Sequence, residues 1–351
     1  MSADGSTLII DKFVTYPSAG IIIPAVLRTS TNGTLSVKIN GDNQPFSDYQ
    51  DMSIAVSIIP VDGQMVGIDG TSVKYLFYAN NTVTFTEIGL SGLDTTGVTD
   101  MFGMFTECHA VKELDVSGLN TSAVTDMSYM FLACRSITSL DLSNFDTSKV
   151  EKMDWMFGGC NSLVELDLSG FDTSNVTDMS RMFNNCNTLT HLDLTSFDTS
   201  KVTTMWMMFY DCTNLESVDL SSFYTPELTT TSHMFAHSEN LRTVDISTID
   251  TSKCTNIGYM FVGCSNLIEI DVSHFDTSEV TYIAGMFYGC SALTELNLSS
   301  FETSKVIQNS YMFKDCTALR TIYIGSGWNM SNVEISGGYL ENCSARFVTV
   351  N

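Results

Sequence analysis

A column of acidic residues is the polar feature of the sequence with the clearest chemistry. Each member occupies the same position of a 26-residue period and sits between apolar residues, as in Leu140-Asp141-Leu142. This aspartate column comprises Asp115, Asp141, Asp167, Asp193, Asp219, Asp245 and Asp271. Stacked carboxylates can bind cationic ligands or calcium, but like charges on neighbouring strands repel each other and need compensation. Ser and Thr residues two positions on, such as Ser117, offer the alternative that hydroxyls and water solvate the carboxylates.

A second column changes residue type from one repeat to the next, which makes it a candidate for recognition. This variable column comprises Gly103, Tyr129, Trp155, Arg181, Met207, His233, Tyr259, Gly285 and Tyr311. On an ideal helix, Trp155 would point away from the apolar stripe that contains Val150 and Phe157. Exposed Tyr, Trp and Arg side chains are typical of binding surfaces, and the alternative is that they pack on neighbouring repeats. The candidate contacts are Tyr129, Trp155, Arg181, Tyr259 and Tyr311.

Eight of the ten cysteines also share one position of the repeat, close to a Met-Phe pair. They are Cys108, Cys134, Cys160, Cys186, Cys212, Cys264, Cys290 and Cys316, with Ser238 in the gap. Neighbouring copies on stacked strands would lie about 5 Å apart. Their side chains would run parallel, which does not favour disulfides, so we expect a column of buried free thiols.

The sequence contains no recognisable catalytic constellation. The patterns G-x-S-x-G, H-E-x-x-H, G-x-G-x-x-G and the P-loop are missing, and so is C-x-x-C. His233 and His237 are four residues apart but have no evident third ligand. We therefore expect no enzymatic activity, no metal site and no cofactor, with calcium on the aspartate column as the alternative.

These columns arise from an internal 26-residue repeat. The Met-Phe pair recurs nine times, from Met104 to Met312, with no insertion or deletion between about Leu93 and Tyr323. A fixed period of this length is the signature of a solenoid.

Each repeat has two halves with different hydrophobic periods. Ile137, Leu140 and Leu142 have leucine-rich-repeat spacing and alternate with polar residues, which predicts a short strand with one buried face. In the second half, apolar gaps of three, three, one and three residues suit a short helix, and Ser148 with Glu151 resembles a capping box. Strands stack about 4.8 Å apart and helices about 10 Å, which predicts a mild arc unless the helices are short or irregular.

The predicted fold is an α/β solenoid of the leucine-rich-repeat type, with nine 26-residue repeats, parallel strands on one face and a small N-terminal β domain. The boundaries are 1–70 for the β domain, as anchor or spacer, and 71–93 for a degenerate N-terminal capping repeat. The solenoid covers 94–325, and a C-terminal cap covers 326–351. Residues 1–86 lack the repeat and read as strands separated by turn signals, which indicates a sandwich.

The unit LDLSNFDTSKV, followed by M-x-x-M-F-x-G-C, resembles the BspA-like surface-protein repeat, a bacterial leucine-rich repeat. The resemblance covers roughly residues 87–325. It implies a secreted or cell-surface protein that adheres to host or matrix components, and it implies no enzymatic activity.

Composition narrows the range of partners. The 40 acidic and 16 basic residues give a net charge of −24, which argues against nucleic acid and anionic membrane surfaces. No apolar stretch approaches the roughly 20 residues that a membrane helix needs, so we expect no membrane insertion. The N-terminal sequence MSADGSTLII does not resemble a signal peptide.

The predicted function is non-enzymatic recognition or adhesion, in which the solenoid surface binds a protein or glycan outside the cell or at its surface. The alternative is a structural component of a larger particle, such as a phage virion fibre or decoration protein. In that case residues 1–86 dock on the particle, and the same residues are the candidates for forming a homo-oligomer.

Overall fold

The computed structural model describes residues 66–79, 83–329 and 338–350, and before them the backbone of six short strands. The chain divides into two compact units, Met1–Asp172 and Thr173–Asn351, which we call unit 1 and unit 2. Each unit is described by itself below. Among the described residues, no helix is present that could span a membrane.

Short strands are the regular elements of the described residues, and helices are absent from them. The strands are β1 Leu8–Ile9, β2 Gly20–Ile22, β3 Val26–Arg28, β4 Ser36–Ile39, β5 Asp42–Pro45, β6 Met52–Ser57, β7 Val66–Asp69, β8 Val83–Gly89, β9 Leu93–Asp94, β10 Ser139–Leu140, β11 Glu165–Leu166, β12 His191–Asp193, β13 Ser217–Asp219, β14 Glu295–Leu298, β15 Thr321–Ile324 and β16 Arg346–Thr349.

Unit 1 begins with strands that pair mostly in parallel. One sheet has the order β2-β6-β8 and a second the order β3-β7-β9, both parallel, whereas β4 pairs with β1 in parallel and with β5 in antiparallel. The sandwich predicted for residues 1–86 lies largely outside the described residues. Further along, β10 pairs in parallel with β11, and Ser139 lies opposite Glu165, one repeat later.

Unit 2 contains the same parallel stacking. His191 of β12 lies opposite Ser217 of β13, and Glu295 of β14 lies opposite Thr321 of β15, so each residue faces its equivalent in the next repeat. The last strand, β16, pairs with β15 in parallel. Each 26-residue repeat is therefore one coil of a parallel β-solenoid, which confirms the leucine-rich-repeat type of fold with its strands on one face.

The second half of each coil is not a helix, and this part of the predicted α/β fold is wrong. In unit 1, the Tyr129 N–H donates to the carbonyl of Asp154 in the next coil at 2.9 Å, and the Leu132 N–H donates to the carbonyl of Tyr129 at 3.0 Å. N–H groups alternate in this way between the following coil and the residue three positions back. The result is a series of turns that is hydrogen-bonded from coil to coil, as strands are, and not along the axis of a helix.

Left-handed backbone explains why these residues cannot form a helix. The φ angle is 62° at Tyr129 and 57° at Ala133, whereas an α-helix needs about −63°. The predicted difference between strand spacing and helix spacing does not arise, because the coils are nearly as close together on the turn side as paired strands are. The stacked rings of Phe105 and Phe131 have centroids 5.6 Å apart, and those of Phe131 and Phe157 5.7 Å apart.

The core of each coil consists of apolar residues from both halves. In unit 2, Phe209 stacks on Phe183 at 5.6 Å and on Phe235 at 5.3 Å, and all three rings are buried. A buried threonine accompanies the core in every coil. In unit 1, the Thr121 hydroxyl donates to the carbonyl of Asp146 at 3.0 Å and accepts from the N–H of the same residue at 2.8 Å. These bonds satisfy buried polar groups that a purely apolar core would leave unpaired.

The cysteine column lies in the same core, as predicted. All ten cysteines are free, and only Cys343 is not fully buried. The Cys212 thiol donates to the Phe183 carbonyl of the preceding coil at 3.0 Å, and Ser238 makes the equivalent bond to Phe209 at 2.8 Å. Burial raises the pKa of the Cys212 thiol to about 12. Serine fits the gap in the column because its hydroxyl keeps the bond that the thiols make.

Candidate functional site

The strand face is the first candidate, and its aspartates are held by turns that follow each strand. We define the strand face by the aspartate column and its outward-facing neighbours two residues before and after it. In unit 1, the Asp115 carboxylate Oδ1 accepts from the Ser117 N–H at 3.0 Å and from the Ser117 hydroxyl at 2.6 Å. In unit 2, Asp193 accepts from the Thr195 N–H at 2.9 Å and its hydroxyl at 2.7 Å. These are Asx turns, in which a short acid binds the backbone two residues on.

These hydrogen bonds also lower the pKa of five of the seven aspartates. The Ser117 hydroxyl, then its N–H, lowers the pKa of Asp115, and Ser247 lowers the pKa of Asp245 in the same way. Asp141, Asp167 and Asp271 have a lowered pKa for the same first cause, the serine hydroxyl two residues on. Every member of the column is exposed. The strand face of each unit therefore presents exposed carboxylates in which Oδ1 accepts the hydrogen bonds of the turn.

The described carboxylates and histidines do not form a metal-binding site. Across the described ranges, no three His, Cys, Asp or Glu side chains converge closely enough to hold a metal ion. His233 instead stacks on Tyr259 at 4.8 Å, and the His237 ring lies 5.5 Å from Tyr210. Burial, followed by electrostatic repulsion from the His237 and Arg181 side chains, lowers the pKa of His233.

Unit 2 carries a groove on its strand face with a volume of about 630 Å³. It is lined by residues 243–247, 269–271, 273, 295–297 and 323. Two coils here, at 243–246 and 269–272, belong to no strand, so the parallel ladder is interrupted between β13 and β14. The sequence pattern did not indicate this groove, because the repeat is equally regular in coils that do pair.

The variable column lies on the turn side of the coil, which we call the turn face, and its backbone is left-handed throughout. The column has φ angles from 57° to 62°, including bulky residues such as Trp155 at 59° and Met207 at 57°. Positive φ at a bulky residue is an outlier that needs compensation. These side chains therefore project from turns and not from the helix that the sequence predicted.

In unit 1, the candidate side chains of this column pack against their neighbours and remain partly exposed. The Tyr129 ring stacks on Phe102 with centroids 4.9 Å apart, and Trp155 lies 6.0 Å from Tyr129. Tyr75 lies over Gly103, where an added Cβ would approach its ring to 2.5 Å.

In unit 2, the remaining candidates pack in the same way. The Arg181 guanidinium lies 3.7 Å from the centre of the Trp206 ring. Tyr259 stacks on His233 and occupies the space beside Gly285. Tyr311 has Tyr288 at 6.4 Å and the Lys314 ammonium at 5.0 Å.

The structure shows packing partners of the variable column that the sequence analysis did not predict. Phe102 and Trp206 belong to the column one residue earlier, and Tyr210 and Tyr288 to the column three residues later. The sequence does contain an indication of these contacts, since each partner is an aromatic residue within three positions of the variable column. Reading neighbouring columns together would have indicated that the turn face is a packed aromatic surface.

Parallel coils of constant length, a stacked phenylalanine core and turns that bond to the next coil define a parallel β-solenoid of the leucine-rich-repeat type. Residues 71–186, 156–244 and 237–348 each match the family model described as "Mycoplasma protein of unknown function, DUF285". These matches span most of the sequence, and the chain belongs to this family. The match and the 26-residue coil are consistent with a BspA-like repeat protein. No curated protein matches the chain.

Solved structures include proteins similar to this chain over nearly all of its length. A leucine-rich repeat protein from Bacteroides ovatus is 15% identical, with 97% of both chains covered and a TM-score of 0.43. A leucine rich cell surface protein from Faecalibacterium prausnitzii is 16% identical, with 99% of this chain and 92% of that chain covered and a TM-score of 0.44.

Proposed function

We propose that this protein is a non-enzymatic recognition protein of the cell surface or extracellular space, and that its strand face binds a basic protein partner. The observation that carries the proposal is the aspartate column. Its carboxylates are exposed and ionised, and their geometry is fixed by turns within the chain. Preorganised charges of one sign attract an oppositely charged partner and orient it on encounter.

The overall charge supports the same class of partner. A net charge of −24 repels anionic partners and steers cationic ones toward the surface. The Faecalibacterium protein similar to this chain is described as a cell surface protein, which agrees with the proposed location. Adhesion to a glycan and the virion alternative stay predictions from the sequence. The docking role of residues 1–86 falls largely outside the described residues.

The experiment compares two triple variants of unit 2 for binding to a fluorescent oligolysine of about eight residues. Asp219→Asn, Asp245→Asn and Asp271→Asn together remove three charges from the strand face. Asparagine keeps the turn, because Asn297 already accepts from the Ser299 N–H at 3.1 Å in the same column. We expect binding to weaken in this variant, and to weaken for the intact protein at about 1 M salt, where the Debye length is about 3 Å.

The matched control removes three charges from another turn of the same coils. Asp198, Asp250 and Asp276 accept from the N–H groups of Ser200, Ser252 and Ser278 and are replaced by asparagine. This control variant should bind oligolysine nearly as the intact protein does. Equal loss in both variants, or no salt-dependent binding to oligolysine by the intact protein, would overturn the proposal.

A further inference from the structure

The groove of unit 2 differs from the rest of the strand face in having two chemically distinct ends. Along the aspartate column the residues run Asp245, Asp271, Asn297 and Tyr323, so the column changes from carboxylate to amide to aromatic ring. All four residues line the groove. The acidic end and the aromatic end are therefore parts of one continuous surface.

The acidic end concentrates negative charge. Besides Asp245 and Asp271, the exposed side chains of Glu269 and Glu295 line the groove, and no Lys or Arg is among the lining residues. None of these four carboxylates forms an ion pair with another described residue. Oδ1 of Asp245 and of Asp271 accepts from the turn, and the His274 ring interacts electrostatically with both carboxylates. A cationic side chain that entered the groove would therefore meet carboxylates that are engaged in no ion pair with a described Lys or Arg.

The aromatic end offers a different contact. The Tyr323 side chain is partly exposed at the end of the groove, in β15, where the parallel pairing with β14 and β16 fixes its backbone. A rigid ring on a paired strand loses little conformational freedom when an apolar or aromatic side chain packs against it. This end selects for apolar surface, whereas the acidic end selects for charge.

The spacing of the two ends sets the length of ligand that can contact both. Two coils separate Tyr323 from Asp271 and three separate it from Asp245, which corresponds to about 10 Å and about 14 Å at the roughly 4.8 Å spacing of paired strands. An extended peptide advances about 3.4 Å per residue, and its side chains face the same way at every second residue. A basic residue and an apolar residue four positions apart therefore span the groove from the same side of the peptide.

We propose that this groove binds an extended segment of a partner protein in which an aromatic or large apolar residue follows a lysine or arginine by four positions. The basic residue lies against Asp245 and Asp271, and the apolar residue packs on Tyr323. This inference rests on the proposed function, because it specifies how the strand face recognises a basic partner. It adds a specificity element that charge alone does not supply.

The test uses a fluorescent peptide, Lys-Ser-Lys-Ser-Ser-Ser-Phe, and two relatives. One relative has alanine in place of the phenylalanine, and the other has glutamine in place of both lysines. Tyr323→Ala should weaken binding of the phenylalanine peptide about three- to tenfold and leave the alanine relative unaffected. Asp245→Asn with Asp271→Asn should weaken both lysine-containing peptides, and the glutamine relative should bind poorly to every form of the protein.

Two controls separate the groove from the rest of the surface. Tyr224→Ala removes a tyrosine of unit 2 that is 62% exposed and does not line the groove. Asp115→Asn with Asp141→Asn removes the same charge from the strand face of unit 1. Both control variants should bind the phenylalanine peptide about as the intact protein does.

The outcomes distinguish this inference from the proposed function. If lysine peptides bind in a salt-dependent way but Tyr323→Ala has no effect, or if the unit 1 aspartates matter equally, the groove is not the site and the general proposal stands. If no lysine peptide binds at all, both are wrong. A loss confined to the phenylalanine peptide in Tyr323→Ala supports the groove as a site with two ends.

Discussion

Gly285 provides a sharp test of the left-handed turn face, because an added methyl group meets two separate obstacles there. The residue has φ 59°, a conformation that costs a residue with a Cβ about 1–2 kcal/mol. The new Cβ would also overlap ring carbons of Tyr259, and crowding of this kind costs about 1–3 kcal/mol. Alanine restricts the unfolded chain and returns about 0.4–1 kcal/mol. Gly285→Ala should therefore lower the free energy of unfolding by about 1–5 kcal/mol, with a central value of about 3 kcal/mol.

The assay is urea denaturation followed by tyrosine and tryptophan fluorescence and by circular dichroism. The midpoint and the slope are compared between variants, because a solenoid can unfold in parts. Gly170→Ala is the matched control, since a Cβ at Gly170 has nothing within 4 Å and the residue is not left-handed. It should change stability by less than about 0.5 kcal/mol.

A double-mutant cycle separates the two obstacles. Where Tyr259→Ala has removed the ring, Gly285→Ala should lose its crowding cost and destabilise by only about 1 kcal/mol. The coupling between the two sites should then be about 1–3 kcal/mol. If Gly285→Ala costs no more than Gly170→Ala, or if the two sites do not couple, the left-handed, ring-covered description of the turn face is incorrect.

Three further predictions concern the core and the aspartate column. Cys212→Ser keeps the bond to the Phe183 carbonyl and should leave stability nearly unchanged in urea denaturation. Cys212→Val removes that bond and leaves the carbonyl with only the Cys186 N–H at 3.2 Å, so it should cost about 0.5–1.5 kcal/mol. In the native protein, Ellman's reagent should react with Cys343 first and with the other thiols only on unfolding, because burial protects them and raises their pKa values; rapid reaction of all ten would contradict this. Ser117→Ala removes the main cause of the lowered pKa of Asp115, so that pKa should rise in an NMR titration. A carboxyl group whose pKa is lower in the native state than in the unfolded state stabilises the fold at pH values above its unfolded pKa of about 3.9. This stabilisation disappears as the pH falls through the native pKa. The variant should therefore lose stability at neutral pH but not in strong acid.

The strand half of each coil could be predicted from the sequence because its physical signal is unambiguous. Leu140 and Leu142 alternate with polar residues, and only a strand with one buried face puts them on the same side. The cysteine column was also predictable, since a residue that recurs in register with the core must pack as the core does. Ser238 in the gap of the column supports that interpretation, because its hydroxyl makes the same hydrogen bond, to the Phe209 carbonyl.

The turn half was mispredicted because apolar spacing alone does not distinguish a short helix from a series of turns. Val150, Met153 and Phe157 point inward in either arrangement, and capping patterns also occur in turns. A usable signal was present in the column four residues after the variable column. It contains Gly159, Gly263 and Gly289 together with Asn185 and Asp211, the residue types that tolerate positive φ best, and the structure shows left-handed backbone at each.

The two faces differ in how cleanly binding can be separated from stability. On the turn face, Trp155 and Tyr259 contribute to packing between coils and sit in left-handed backbone, so their replacement changes stability whether or not they bind a partner. On the strand face, the turn needs only one acceptor oxygen from Asp245, accepting from the Ser247 N–H at 2.9 Å, and an asparagine supplies it. Loss of binding in an asparagine variant therefore reports mainly on charge, since the turn keeps its acceptor. The strand face is the surface on which recognition can be tested without disturbing the solenoid.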